Sequence, residues 1–203
     1  MKLAAMTIAI LASGGAMAAA EPRTIDPDWP CQQVKVGELS IASFWNGPPV
    51  DPATADWRQD AAVASLVGTI TQRRLPMDQA AQRIADFAKA ADKDKPRELR
   101  LAFAGVFDVL NRERETVLNG LDRFGQRQKV LAATLRQEAE DLRTIQSNGS
   151  ADAAKVSELT EHVLWDQQFF ETRRQSLRYA CDVPTAIEQR LYGLAKAIQD
   201  NLD

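Results

Sequence analysis

The chain has 203 residues, a formal net charge of −3, a single histidine and two cysteines. A mildly acidic chain is a poor candidate for nucleic-acid binding, because contacts to the phosphate backbone need clustered Lys and Arg. The single histidine excludes every mechanism that needs two, while the length suffices for one domain with a sizeable core.

The first 20 residues have the three parts of a secretory signal peptide. Lys2 supplies the positive charge, residues 3–11 are mainly apolar, and small residues offer cleavage sites near Ala18 or Ala20. The apolar run is shorter than the roughly 20 residues that cross a bilayer, so we expect cleavage. No later segment approaches that length. The sequence therefore predicts a periplasmic protein with no integral membrane segment after cleavage.

Residues 21–52 are predicted to form an extended arm. They hold six of the nine prolines, and proline fixes its own φ, lacks an amide donor and disfavours helix in the residue before it. Trp29, Phe44 and Trp45 make the segment too apolar for a free linker. We therefore expect the arm to pack against the rest of the protein.

Residues 53–203 are predicted to form an all-α helical domain that begins with a short helical hairpin over residues 53–95. Asp51 or Thr54 is a suitable N-terminal cap for the first helix. Pro76 suits the first turn of the second helix, where the missing amide hydrogen would have no partner in any case.

Residues 96–203 are predicted to form a long antiparallel helical hairpin that resembles a coiled coil. Eight of eleven positions on a heptad track between Leu110 and Ile145 are apolar. The three polar positions are Arg114, Gln128 and Glu138. The Ser-Asn-Gly-Ser sequence at residues 147–150 is typical of a turn.

A second heptad track follows the turn from Val156, and we expect Pro184 to interrupt or kink this second helix. On the first long helix, Gly120 and Gly125 each weaken the helix by about 1 kcal/mol relative to alanine. We expect them to mark a bend or a close contact with another element.

Two cysteines in an exported chain predict a disulfide between Cys31 and Cys181, because oxidising compartments stabilise the bond. The sequence contains no Cys-x-x-Cys motif that would indicate a reactive pair. An antiparallel hairpin places Cys181 opposite Val117. We therefore expect the arm to run beside the stem of the hairpin, with its tryptophans near Gly120 or Phe124.

No set of residues in the sequence predicts catalysis, and we expect neither enzymatic activity nor a cofactor. Glu158, His162 and Asp166 follow one another at four-residue steps and can present three metal ligands on one helix face. However, Asp166 falls on the heptad track, and charged flanks are typical of exposed coiled-coil faces. A solvated charge cluster is therefore the favoured interpretation, with metal binding as the alternative.

Trp165 and Phe169 cannot both share the seam that Phe170 occupies. Aromatic residues at helical spacing usually belong to a core. The alternative is an exposed patch, since Trp and Arg are favoured at the centres of protein interfaces. Arg173 and Arg174 lie on the same stretch of helix and suit an acidic partner. The candidate partner-binding residues are therefore Trp165, Phe169, Arg173 and Arg174.

The segment Asp28-Trp29-Pro30-Cys31-Gln32-Gln33-Val34-Lys35-Val36, followed by Trp45-Asn46-Gly47-Pro48-Pro49, resembles the opening of a family of uncharacterised exported proteins of Gram-negative bacteria. The resemblance is strongest over the arm and implies a periplasmic location. It implies no catalytic residue.

These observations favour a non-enzymatic periplasmic protein that acts through protein–protein contacts, as a scaffold, adaptor or accessory subunit. Its partner would be another periplasmic or envelope protein, because a long hairpin exposes a long recognition surface. A helical protein that binds a small ligand or a metal, and a chaperone-like holdase, are the alternatives.

Overall fold

The computed structural model describes residues 26–149 and 152–202, so the predicted signal peptide at residues 1–20 lies outside the described part of the chain. The described residues form four α-helices and two short 3₁₀ turns, and they contain no strand. The helices are α1 (Ala61–Ile70), α2 (Met77–Ala90), α3 (Lys95–Ser147) and α4 (Ala153–Gln199). The predicted all-α fold, with a short helical hairpin and a long one, is confirmed.

The hydrophobic core lies at the base of the long hairpin, where α1 and α2 pack against α3 and the C-terminal part of α4. Residues 102–107 of α3 are all buried, which shows that this part of the helix is surrounded on every side. Gly105 lets Trp57 approach, since a Cβ at Gly105 would lie 2.8 Å from the Trp57 ring. Trp45 stacks on Phe103 with 4.2 Å between ring centroids.

The first helix begins later than predicted. Asp60 caps α1 by accepting a hydrogen bond from the Val63 amide at 3.1 Å, and this bond is the main cause that lowers the pKa of Asp60. Asp51 instead accepts hydrogen bonds from the Ala53 amide and the Thr54 hydroxyl, both at 3.0 Å. The prediction of a cap at Asp51 or Thr54 is therefore wrong, because these residues close a local turn. The second helix begins at Met77, within one residue of the predicted start, and Pro76 is its N-cap rather than a residue of its first turn.

The second long helix does not end at Pro184. α4 continues through this proline to Gln199, so of the two predicted alternatives, an interruption or a kink, the interruption is wrong. Proline within a helix removes one hydrogen bond and costs about 3 kcal/mol. Pro184 and its neighbours Cys181 and Ile187 are buried, and their packing offsets that cost.

The predicted disulfide joins Cys31 to Cys181, with 5.6 Å between their Cα atoms. Beside it, the side-chain amide of Gln33 donates a hydrogen bond to the backbone carbonyl of Cys181. On the opposite side of the arm, Lys35 forms an ion pair of 2.8 Å with Asp122 of α3. The arm therefore runs between the two long helices, beside the stem, as expected.

The same ion pair raises the pKa of Lys35, mainly through the hydrogen bond to Asp122 and then through that to Asp26. A raised folded-state pKa means that this stabilisation is present at neutral pH. It is lost only as the pH rises above the ordinary lysine value through the folded pKa.

The tryptophans of the arm do not all lie where they are predicted. Trp29 lies beside Gly125 in a groove between the arm and both long helices. Trp45, by contrast, is buried in the core at the base, together with Trp57 of the segment that follows the arm. The reason is that the arm continues past the disulfide toward the base, where the Phe44 carbonyl accepts a hydrogen bond from the Gln199 side chain at 3.2 Å.

We expect a Cys31→Ser, Cys181→Ser double variant to keep its helical content while the first part of the arm detaches. The hairpin core does not depend on the bridge, but closing a loop of 150 residues stabilises by about 5 kcal/mol in the chain-entropy model. Circular dichroism, urea unfolding and limited proteolysis check this. The expected result is native helicity with a lower free energy of unfolding and new cleavage near residues 26–37. Loss of most of the helical circular dichroism signal in buffer without urea would contradict this expectation.

Gly125 and Gly120 give a matched pair of substitutions on one helix. A Cβ at Gly125 would collide with the backbone carbonyl of Asp28, whereas nothing lies within 4 Å of a Cβ at Gly120. The predicted close contact is thus confirmed at Gly125 only. We expect Gly125→Ala to destabilise by about 1–3 kcal/mol through overpacking. Gly120→Ala should stabilise by up to about 1 kcal/mol through helix propensity. Equal effects in urea unfolding would contradict this assignment.

Candidate functional site

The distal stem, which we define as residues 126–147 of α3 and 153–177 of α4, extends beyond the core at the base. Its helix ends follow from local sequence. α3 ends at Ser147 because Asn148 adopts an extended conformation. Asp152 then caps α4 by accepting a hydrogen bond from the Ala154 amide at 2.9 Å.

The register of the two long helices is fixed by an ion pair whose arginine is buried. Arg114 is only 1% exposed, and its Nε donates to Glu188 of α4 at 2.5 Å. Its two terminal nitrogens donate to the backbone carbonyls of Val36, at 2.5 Å, and Gly37, at 3.2 Å. One side chain of α3 therefore holds both α4 and the arm. Farther from the base, the same antiparallel register brings Glu138 of α3 beside His162 of α4.

The outer face of α4 carries large exposed aromatic side chains. Trp165 is 71% exposed and Tyr179 is 81% exposed, while Phe169 is about half exposed. The interpretation of Trp165 and Phe169 as core residues therefore does not hold. They belong to a series with alternating four- and three-residue steps, which we call the outer stripe and whose members are all exposed: Trp165, Phe169, Thr172, Ser176 and Tyr179.

The two candidate arginines differ in their contacts. The Arg173 guanidinium lies between two rings, 5.1 Å from the centroid of Phe124 and 5.2 Å from that of Phe169. Such cation–π contacts stabilise by about 0.5–1 kcal/mol at exposed sites, so Arg173 ties one stripe residue to α3. Arg174 is more exposed and forms an ion pair of 2.9 Å with Glu171.

A cluster of metal-binding residue types lies in the same part of the stem. The ligand atoms of Glu138, His162 and Asp166 all lie within 4.8 Å of one another. His162 Nε2 is 3.3 Å from a Glu138 oxygen and 3.9 Å from an Asp166 oxygen. Of the residues predicted from the sequence, His162 and Asp166 are thus brought together, whereas Glu158 is exposed and belongs to no such group among the described residues.

Sequence reasoning missed Glu138 and Tyr179. Glu138 is identifiable from the sequence as a polar residue on the heptad track of α3. The residue of α4 opposite Glu138 is not, because that depends on the register between the two helices. Tyr179 lies fourteen residues, or two heptads, after Trp165 and therefore on the same side of α4. That spacing is the signal that could have added it to the candidate residues.

A third feature that the sequence did not predict is an open cleft of 610 Å³ beside the disulfide. Its walls come from the arm and from α4, and they include Gln33, Arg174, Arg178 and Asp182. Arg174 therefore belongs to this cleft, and its spacing of two residues from both Thr172 and Ser176 places it away from the face of the outer stripe. The lining mixes both signs of charge, so the cleft itself favours no particular ligand.

The fold and these surfaces define a helical-hairpin protein whose arm is fastened to the stem by a disulfide and a buried arginine. Within the described residues, no helix is long and apolar enough to span a bilayer. No protein-family model, curated protein or solved structure matches the chain. The resemblance of the arm to an exported family therefore stays a prediction.

Proposed function

We propose that this chain is a non-enzymatic periplasmic protein that acts through protein–protein contacts, as a scaffold, adaptor or accessory subunit, with the outer stripe as its binding surface. The observation that carries the proposal is the exposure of Trp165, at 71%, in line with Phe169 and Tyr179 on one helix face. Exposed tryptophan and tyrosine side chains are costly in water and are favoured at the centres of interfaces.

The spacing of the stripe suits a helical partner. Steps of four and three residues are those of a coiled-coil seam, in which side chains of one helix fit between those of another. From Trp165 to Tyr179 the stripe spans about 21 Å of helix, or two heptads. The small residues Thr172 and Ser176 between the aromatic ends allow a partner helix to approach closely.

A positive charge beside the stripe favours a partner with an acidic flank. Arg173 lies four residues after Phe169, with its guanidinium 5.2 Å from that ring, and complementary charges give an interface its orientation and its speed of association. We therefore assign the partner as an envelope protein that presents an amphipathic helix with an acidic residue opposite Arg173.

Two further observations support the location and the lack of enzymatic activity. The Cys31–Cys181 bridge fits a chain that reaches an oxidising compartment. Because both cysteines of the chain form this bridge, neither is available as a nucleophile, and His162 is the only histidine. These facts support a binding role over thiol or histidine-pair catalysis.

Site-specific photo-crosslinking in the cell envelope tests the proposal. The crosslinking residue replaces Trp165 in one variant, and in the control it replaces Tyr192, which is exposed on the same helix but lies near the base. We expect a discrete adduct from position 165 and none from position 192. Equal adducts at the two positions would contradict the assignment of the surface.

The captured protein, once purified, must also bind the unmodified chain. We expect Trp165→Ala to weaken this binding by about 30-fold, which corresponds to about 2 kcal/mol for an interface hot spot. Val130→Ala, at an exposed apolar residue of α3, is the matched control and should change nothing. The free energy of unfolding should change by less than about 0.5 kcal/mol in either variant.

Two other outcomes of the crosslinking at position 165 would contradict the proposal. Capture of a diffuse set of unfolded proteins would indicate a holdase, and capture of a second copy of the chain would indicate a homodimer.

A further inference from the structure

We propose that Glu138, His162 and Asp166 form a binding site for one divalent transition-metal ion, of which Zn²⁺ is the representative. The site joins α3 to α4 inside the distal stem. It differs in residues and in chemistry from the outer stripe, and it does not depend on the proposed partner.

The spacing of the ligand atoms fits an ion with four ligands. In tetrahedral zinc sites the metal–ligand bonds are about 2.0–2.2 Å, so neighbouring ligand atoms lie about 3.4 Å apart. His162 Nε2 lies 3.3 Å from Glu138 and 3.9 Å from Asp166. The ligand atoms of Glu138 and Asp166 lie within 4.8 Å of each other, so adjustments of the side chains bring all three ligand atoms to one ion.

The negative charge of the two carboxylates favours a bound cation. The side chains of Glu138 and Asp166 are only 18% and 20% exposed, although both are carboxylates. One Glu138 oxygen, Oε2, is buried and has no hydrogen-bond partner. A buried carboxylate oxygen without a partner is costly. A single imidazole cannot neutralise two carboxylates, whereas a divalent ion compensates both charges.

The ligand types indicate the class of metal. Ca²⁺ takes six to eight oxygen ligands and Mg²⁺ prefers octahedral oxygen, and neither favours an imidazole. One imidazole nitrogen and two carboxylate oxygens suit Zn²⁺ and its neighbours in the first transition row. Three protein ligands leave a fourth position for water, and the exposed ring of His162 provides a path for the ion to enter.

Zinc titration of the full, disulfide-bonded protein after chelator treatment tests the site. We expect one equivalent to bind by calorimetry, and we expect His162→Ala and Glu138→Gln each to weaken the affinity at least tenfold. Glu158→Gln is the matched control, because this acid lies one helical turn from His162 but outside the cluster. It should bind zinc as the parent does.

Co²⁺ supplies a second readout through its visible absorption, which reports a tetrahedral environment. The band should appear in the parent and in Glu158→Gln, and it should be lost in Glu138→Gln. Circular dichroism confirms that each variant keeps its helices. Zinc affinity unchanged by Glu138→Gln, or weak binding of several ions that no variant alters, would overturn the proposal and leave a solvated charge cluster. Trp165→Ala should bind zinc normally, so failure of the partner surface and failure of the metal site remain distinguishable.

Discussion

The buried guanidinium of Arg114 is the interaction on which the rest of the structure depends. Removing such a group from water costs several kcal/mol, and well-placed acceptors at each of its nitrogens offset that cost. Arg114 meets it with a carboxylate on α4 and two backbone carbonyls of the arm. These carbonyls belong to a segment without regular secondary structure, so they in turn need this donor.

The position of Arg114 explains how an irregular arm is held in one place. The disulfide fastens the arm on the distal side of Arg114, and stacking of Trp45 on Phe103 fastens it on the side of the base. The arm is thus attached to the stem at Arg114 and on both sides of it. Because Arg114 also bonds to α4, the same side chain sets the register between the long helices, and the register decides which residues meet farther out.

The sequence predicts the architecture well because its signals are local or periodic. Heptad spacing predicts the two long helices, the Ser-Asn-Gly-Ser sequence predicts that they are antiparallel, and two cysteines in a chain predicted to be exported predict a disulfide. Proline density correctly predicts an arm that is not helical. The errors arise where the same local sequence is compatible with two different structures. Asp51 can cap a helix or close a turn, and Pro184 can end a helix or be tolerated by packing around it.

The candidate site was harder to predict, since its geometry depends on the contact between helices. Four-residue spacing suggests Glu158 as the third member of the cluster, whereas the structure supplies Glu138 from α3. A shift of a few residues in register would have placed a leucine there instead. The outer stripe is periodic, so its members could be predicted from their spacing in the sequence. Whether Trp165 is buried or exposed could not, because that depends on which face of α4 packs against α3.

Two departures from the rules of stable folding lie in the distal stem. At the base, most large apolar residues are buried, Arg190 donates to the carbonyls of Ile70 and Leu75, and Gly105 lies where the Trp57 ring approaches α3. In the distal stem, two carboxylates occupy the inner side of the helix pair while a tryptophan faces solvent on the outer side. Leucine at position 138 and a polar residue at position 165 would make a more stable hairpin. Sequences that break such rules without local compensation do so most often at functional sites. Both breaks lie near one stretch of α4, on different faces, which is the reason for assigning the distal stem two separate binding roles.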